Sequence, residues 1–99
     1  MPELLPPSEQ QERLAALPGW SIVDDGLTRS FRFADFMSAF GFMASAAIAA
    51  EKLNHHPEWS NVYNRVEVRL TTHDAGGLTT YDFQLAEIMS TLADGPTPG

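Results

Sequence analysis

At Asn54 the apolar pattern of this chain changes period, and that change constrains the fold more than any other feature. Upstream, Phe36, Phe40, Met43, Ala47 and Ala50 recur at helical spacing, with Phe42, Ala46 and Ala49 in a second row beside them. Downstream, Val62, Val66, Val68 and Leu70 point one way while Tyr63, Arg65, Glu67 and Arg69 point the other. Asp35 suits an N-cap, so a long helix is expected from there to about Leu53. Asn54 suits a left-handed C-terminal residue, and Pro57 forbids continuation. The strand expected over Val62 to Thr72 alternates strictly, which suits an antiparallel sheet with one wet or interfacial face. The apolar stripe on the helix is wide for so small a domain and suggests a partner interface.

The remaining elements follow from punctuation. Residues 1 to 7 carry three prolines and read as a loose tail. Ser8 with Gln11 has capping-box spacing and opens a short helix that ends by Leu17-Pro18-Gly19, with Leu14 and Leu17 facing inward. Trp20 to Asp24 reads as a strand, Asp25-Gly26 as a two-residue hairpin turn, and Leu27 to Phe33 as its partner strand with the aromatic face inward. A further short strand fits near Pro57 to Asn61. Thr79 with Asp82 again has capping-box spacing, opening a last helix to about Leu92 with Tyr81, Leu85, Ile88, Met89 and Leu92 inward. Residues 94 to 99 read as a Pro/Gly tail. The expectation is a single α+β domain over residues 1–99, with a four-stranded antiparallel sheet, about three helices on one face, and the order α-β-β-α-β-β-α.

Composition narrows the function. Of 99 residues, 6 are basic and 13 acidic, giving a net charge of −7 with no basic block, so direct nucleic-acid binding is not expected. There is no cysteine, which removes disulfides, thiolate nucleophiles and cysteine-type zinc sites. No basic n-region precedes an apolar run, and the longest apolar segment, around Ala44 to Ala50, is too short and alanine-rich for a bilayer span. A soluble cytoplasmic protein without membrane contact is expected.

Candidate chemistry gathers where the period changes. His55 and His56 sit at the helix end and His73 at the far end of the following strand; these are the only three histidines. Imidazole gives and takes protons near neutral pH. Glu51 precedes His55 by four residues, so on a helix its carboxylate reaches and orients that ring. Tyr63 and Trp59 could wall a flat ligand. His73 is followed by Asp74 and Gly76 on a loop that backbone and ligand can share. Plainer readings stand beside these. His55 and His56 suit a helix C-terminus, Trp20 and Trp59 suit a core or interface, Asp82 suits its capping box, and Glu51 with Lys52 suits a solvated face. Adjacent histidines seldom converge on one metal ion, and Ser60 has no nucleophile-elbow context.

The spacing Glu51, three residues, His55-His56-Pro57, five residues, Tyr63, nine residues, His73, eight residues, Asp82 resembles the signature of the pterin-4a-carbinolamine dehydratase family. Trp20, Phe36, Ala39-Phe40-Gly41-Phe42-Met43, Glu51-Lys52-Leu53, Pro57-Glu58-Trp59, Asn61-Val62-Tyr63-Asn64, Thr72-His73 and Gly77-Leu78 extend the likeness over roughly residues 14 to 90. The resemblance implies a hydro-lyase that dehydrates 4a-hydroxytetrahydrobiopterin to quinonoid dihydropterin, supporting tetrahydrobiopterin recycling after aromatic amino acid hydroxylation. It implies no metal and no organic cofactor. It assigns proton exchange to His55 and His73, with His56 holding the hydroxyl or pterin edge and Glu51 orienting His55. Thr71, Thr72 and Asp74 would border the pocket, and Trp20 would close one side. Asp82, Pro57 and Tyr63 are structural near the site. Many relatives carry aspartate where this chain has Asn54, and an amide keeps the hydrogen-bonding and left-handed capacity of that position. The family also implies homodimers by sheet extension or homotetramers through helices, and an aromatic amino acid hydroxylase as the source of substrate. Animal relatives act as dimerisation cofactors for a homeodomain transcription factor, so a protein-interaction module, with a nuclear location, is the alternative.

Overall fold

The structure, a computed structural model, describes residues 2–95. Its elements are α1 (Pro7–Leu14), β1 (Ser21–Val23), β2 (Gly26–Arg32), α2 (Phe36–Leu53), β3 (Glu58–Val62), β4 (Arg65–Leu70), a 3-10 turn (His73–Ala75) and α3 (Thr80–Asp94). The four strands form one antiparallel sheet in the order β1-β2-β4-β3. This is the α+β arrangement expected from the sequence.

The core lies between the sheet and α2 and α3. Leu27, Phe31, Val66, Val68 and Leu70 supply the sheet side, and Ala39, Phe42, Ala46, Ala50, Phe83, Leu85, Ala86 and Met89 the helical side. The pairs Leu27↔Leu70 and Phe31↔Val66 put large residues side by side on one face. Alanines on α2 let its backbone sit close to that face. Phe42 meets Phe31 and Phe33 at ring centroids of 4.7 and 5.1 Å, and this aromatic knot selects which row of α2 is buried. The core row is therefore Ala39, Phe42, Ala46 and Ala50, the second row of the sequence pattern with Ala50 drawn from the first and Ala49 only partly buried. Phe36, Met37, Phe40 and Ile48 stay on the surface, with Met37 77% exposed. Taken as a helix, 36–53 is long and apolar enough to cross a bilayer by length and composition alone, contrary to the expectation from its longest apolar run. One of its faces is nonetheless a layer of this core. Asp35 caps it, accepting from the Ser38 backbone N–H at 2.8 Å, and the Ser38 backbone and then its side chain hold the Asp35 carboxyl below its ordinary value.

Several local expectations shift. The hairpin turn is Asp24–Asp25, with φ of 49° and 61°, one residue earlier than expected, and Gly26 already pairs with Val23 in the ladder. Gly26 leaves room for the Arg69 guanidinium, which donates to the carbonyls of Val23 and Asp24 at 2.8 Å each; a Cβ there would lie 1.8 Å from it, and the guanidinium would have to shift. Helix α1 starts at Pro7, not Ser8, with Pro6 as N-cap and no side-chain cap; proline's fixed φ suits the first turn. The Val62–Thr72 segment is two strands, broken by a turn at Tyr63 (φ 51°) and Asn64, so Val62 is 61% exposed and off the core face. In α3, Phe83 and Ala86 are core residues, whereas Tyr81 and Leu92 are 37% and 44% exposed.

Residues 2–6 have no regular structure but are tied down. The Leu5 N–H donates to Leu78 O at 2.9 Å, its side chain is buried, and a Cβ on Gly77 would come within 2.8 Å of Leu4. At the other end Asp94 belongs to α3 and pairs with Arg29 at 2.9 Å. The tail expected beyond residue 95 lies outside the described residues.

Candidate active site

Helix α2 ends because Asn54 adopts a left-handed conformation (φ 51°, ψ 42°), its N–H closing onto Ala50 and Glu51. The chain turns there, and His55 leaves the helical path. Its ring is buried, with the residue 8% exposed, and Nε2 lies 2.5 Å from Asp82 Oδ1. Glu51 therefore does not orient His55: the i,i+4 relation holds only while the helix continues. Glu51 meets Nε2 of His56 at 2.8 Å instead, on an exposed surface.

Asp82 is fully buried at the start of α3, where the first-turn dipoles favour a negative charge. Its Oδ2 accepts from the Thr79 backbone N–H at 2.9 Å and from the Thr72 hydroxyl at 2.8 Å. It serves the capping box expected from the sequence and is also the partner of His55. Thr72 ends the extended run after β4, and its isolated bridge to Gly77 brings that run against the start of α3.

The next residue, His73, opens the 3-10 turn and is 76% exposed at its side chain. Its Nε2 lies 3.4 Å from Oε1 of Glu58, the residue after His56-Pro57. Two contacts thus join the turn after α2 to the turn after β4: His55 through Asp82 to Thr72, and Glu58 to His73. All three imidazoles belong to this one end of the sheet, and each has a carboxylate partner. The Tyr81 ring stands 5.9 Å from that of His55, at 53°. Sequence reasoning missed Glu58 and misplaced Tyr81. The cross-strand register Glu58↔Arg69, with a 3.3 Å ion pair, is the signal for the former.

Of the other expected site residues, Trp20, Tyr63 and Trp59 are not brought to this cluster. Trp20 is buried against Phe31 and donates to Ser90 Oγ at 2.7 Å, toward the C-terminal half of α3 and away from Asp82. Tyr63 is exposed at the opposite end of β3 from the histidines. Trp59 packs partly into the core from β3. The Thr71 hydroxyl donates to Asp25 O at 2.9 Å, fastening the β1–β2 turn beside the site. Asn54 and Asp74 are exposed at its rim, and Pro57 is half-buried between His56 and β3. The larger grooves lie elsewhere, one of about 450 Å³ between α1 and α3 lined by Leu17, Phe83 and Ser90 among others. Among the described residues no group of three or more His, Asp or Glu side chains could hold a metal ion.

Residues 3–92 match the pterin 4 alpha carbinolamine dehydratase family. The chain belongs to that family. A putative pterin-4-alpha-carbinolamine dehydratase of Solibacter usitatus is 56% identical over 88 residues, 89% of this chain and 93% of the relative. One of Rhizobium johnstonii is 58% identical over 85 residues, 84% of each. The crystal structure of a transcriptional coactivator/pterin dehydratase from Brucella melitensis superposes with a TM-score of 0.88 at 55% identity, covering 90% of this chain and 97% of that one. Membership in the dehydratase family agrees with the spacing from Glu51 to Asp82 and with the fold.

Proposed function

We propose that this chain is a pterin-4a-carbinolamine dehydratase, removing water from 4a-hydroxytetrahydropterin to give quinonoid dihydropterin. The observation that carries the reading is the pairing of one fixed, buried imidazole, His55 on Asp82, with two exposed imidazoles at the same end of the sheet. The elimination needs a proton delivered to the 4a-oxygen as the C–O bond breaks, its electron pair leaving with water, and a proton removed from a ring nitrogen. His55 and His73 exchange those protons, and His56 holds the hydroxyl or the pterin edge. Such assistance contributes about 10²–10⁴-fold. Thr71 and Asp74 border the substrate. Formation of quinonoid dihydropterin from chemically prepared carbinolamine, followed by absorbance, is the test. Acceleration by the wild type and its loss in His55→Ala and His73→Ala are expected; wild-type rates in both variants would sink the assignment.

The second reading is an interaction module, favoured by the exposed apolar face of α2 and by the coactivator name of the Brucella relative. That face also suits association of copies through helices, as the open β3 edge suits sheet extension. A hetero-complex with a transcription factor would survive His73→Ala and be lost in Phe40→Glu; equal retention by both variants in co-purification would count against it.

A further inference from the structure

We infer that Thr72, backed by Thr79, is a positioning residue for the reaction: its buried hydroxyl holds Asp82 so that His55 stays the Nε2–H tautomer and exchanges protons through Nδ1. The inference rests on the dehydratase reading above and deepens it.

The direction of every hydrogen in this cluster is fixed by its partners. Asp82 Oδ2 takes a backbone N–H from Thr79, which can only donate, and a hydroxyl from Thr72. An ionised carboxylate has no hydrogen of its own to give. The Nε2 of His55 at Oδ1 must therefore be the donor. Thr72 has one hydrogen, directed at Asp82, so the Thr79 hydroxyl, 2.8 Å from Thr72 Oγ1, must donate to Thr72. The result is a one-way chain from Thr79 to Thr72 to Asp82, met from the other side by His55. Its members are 0% (Thr79, Asp82) and 8% (Thr72, His55) exposed, so solvent is a poor substitute for a missing hydroxyl. With Nε2 committed, Nδ1 is the remaining ring nitrogen. A pterin N–H proton moves onto its lone pair; to act as the acid, Nδ1 must first have taken up a proton in this way, which then moves to the 4a-oxygen as the C–O pair leaves with water. The Thr72 hydroxyl is taken up by Asp82 and Thr79, which separates it from a residue whose side chain binds substrate.

The test is long-range 1H–15N spectroscopy of protein labelled in its histidine rings, joined to steady-state kinetics. Wild-type His55 is expected to show a protonated Nε2 and an unprotonated Nδ1; the reverse pattern overturns the inference with no variant needed. Thr72→Val keeps the shape and removes the donor. It is expected to leave His55 in mixed tautomers and lower kcat about tenfold, an activation change of about 1.4 kcal/mol, with KM within about twofold. Thr72→Ser should restore both readouts. A Thr72→Val protein with the wild-type ring pattern, or with raised KM and unchanged kcat, overturns the positioning role. A wild type with the expected ring pattern but no dehydration of carbinolamine would instead overturn the proposed reaction, while upholding the tautomer.

Discussion

His55 and His73 each face a carboxylate, but the two pairs are built differently. His55 meets Asp82 where both are buried, and three donors converge on that carboxylate from the turns after α2 and β4 and the start of α3. His73 meets Glu58 at 3.4 Å in solvent, with both side chains more than half exposed. A buried charge with fixed partners cannot relax, so its imidazole is held before any ligand arrives. An exposed pair at that distance is worth little and is readily given up. One ring is part of the scaffold, and the other is free to follow a substrate.

The largest effects should come from the buried pair. Asp82→Asn offers His55 an amide that can present a hydrogen where the ring presents its own; turnover is expected to fall by about 10²–10⁴-fold, as when a histidine is left in the wrong tautomer. Asp82→Ala should also destabilise the fold in urea unfolding, by about 1–3 kcal/mol for each buried donor left without its acceptor. If Asp82→Ala melted like the wild type, the contrast between the two pairs would be gone. His73→Ala should lower turnover about 10²-fold while stability stays within about 0.5 kcal/mol; a large stability loss would mean that His73 too is scaffold. Glu51→Gln, at the exposed His56, should change stability by no more than about 0.5 kcal/mol and turnover only slightly, and an effect rivalling that of Asp82→Asn would return the orienting role to Glu51.

The smallest effect sharpens the comparison through a second capping carboxylate. Asp35 caps α2 on the surface as Asp82 caps α3 in the interior. Its carboxyl is held low by the Ser38 backbone N–H. A lowered carboxyl stabilises the fold above its unfolded-state value, and that contribution disappears as pH falls through the lower folded-state value. Asp35→Ala should therefore reduce the melting temperature modestly at neutral pH, and the difference from wild type should close in strong acid. A gap that widened on acidification would reverse the sign of the argument.

Much of this was legible from residue order because the strongest signals are local. The period change at Asn54, the Asp35 cap and the Thr79–Asp82 box each involve residues within a turn of one another, and all three lie where expected. Failures arose where a distant partner decided the outcome. Glu51 and His55 have helical spacing, but Asn54 turns the chain first and Asp82, 27 positions away, takes the ring. Asp25-Gly26 has the composition of a turn, but Gly26 is already in the ladder opposite Val23, with the guanidinium of Arg69 from another strand beside it. Two apolar rows on α2 are equally periodic, and only the Phe31, Phe33 and Phe42 cluster chooses between them. Trp20 and Tyr63 match the family spacing, yet one is core and the other caps a hairpin at the far end of β3.

The leading segment ahead of α1 bears on all this from outside. Leu5 grips Leu78 by a backbone hydrogen bond and Leu4 covers Gly77, one and two residues before the threonine that opens α3. Those few residues work as a clasp on the loop that carries the hydroxyl chain. A chain starting later would register the loss first as faster amide exchange from Gly77 to Thr79, and only then as slower turnover, although nothing near the histidines had been changed.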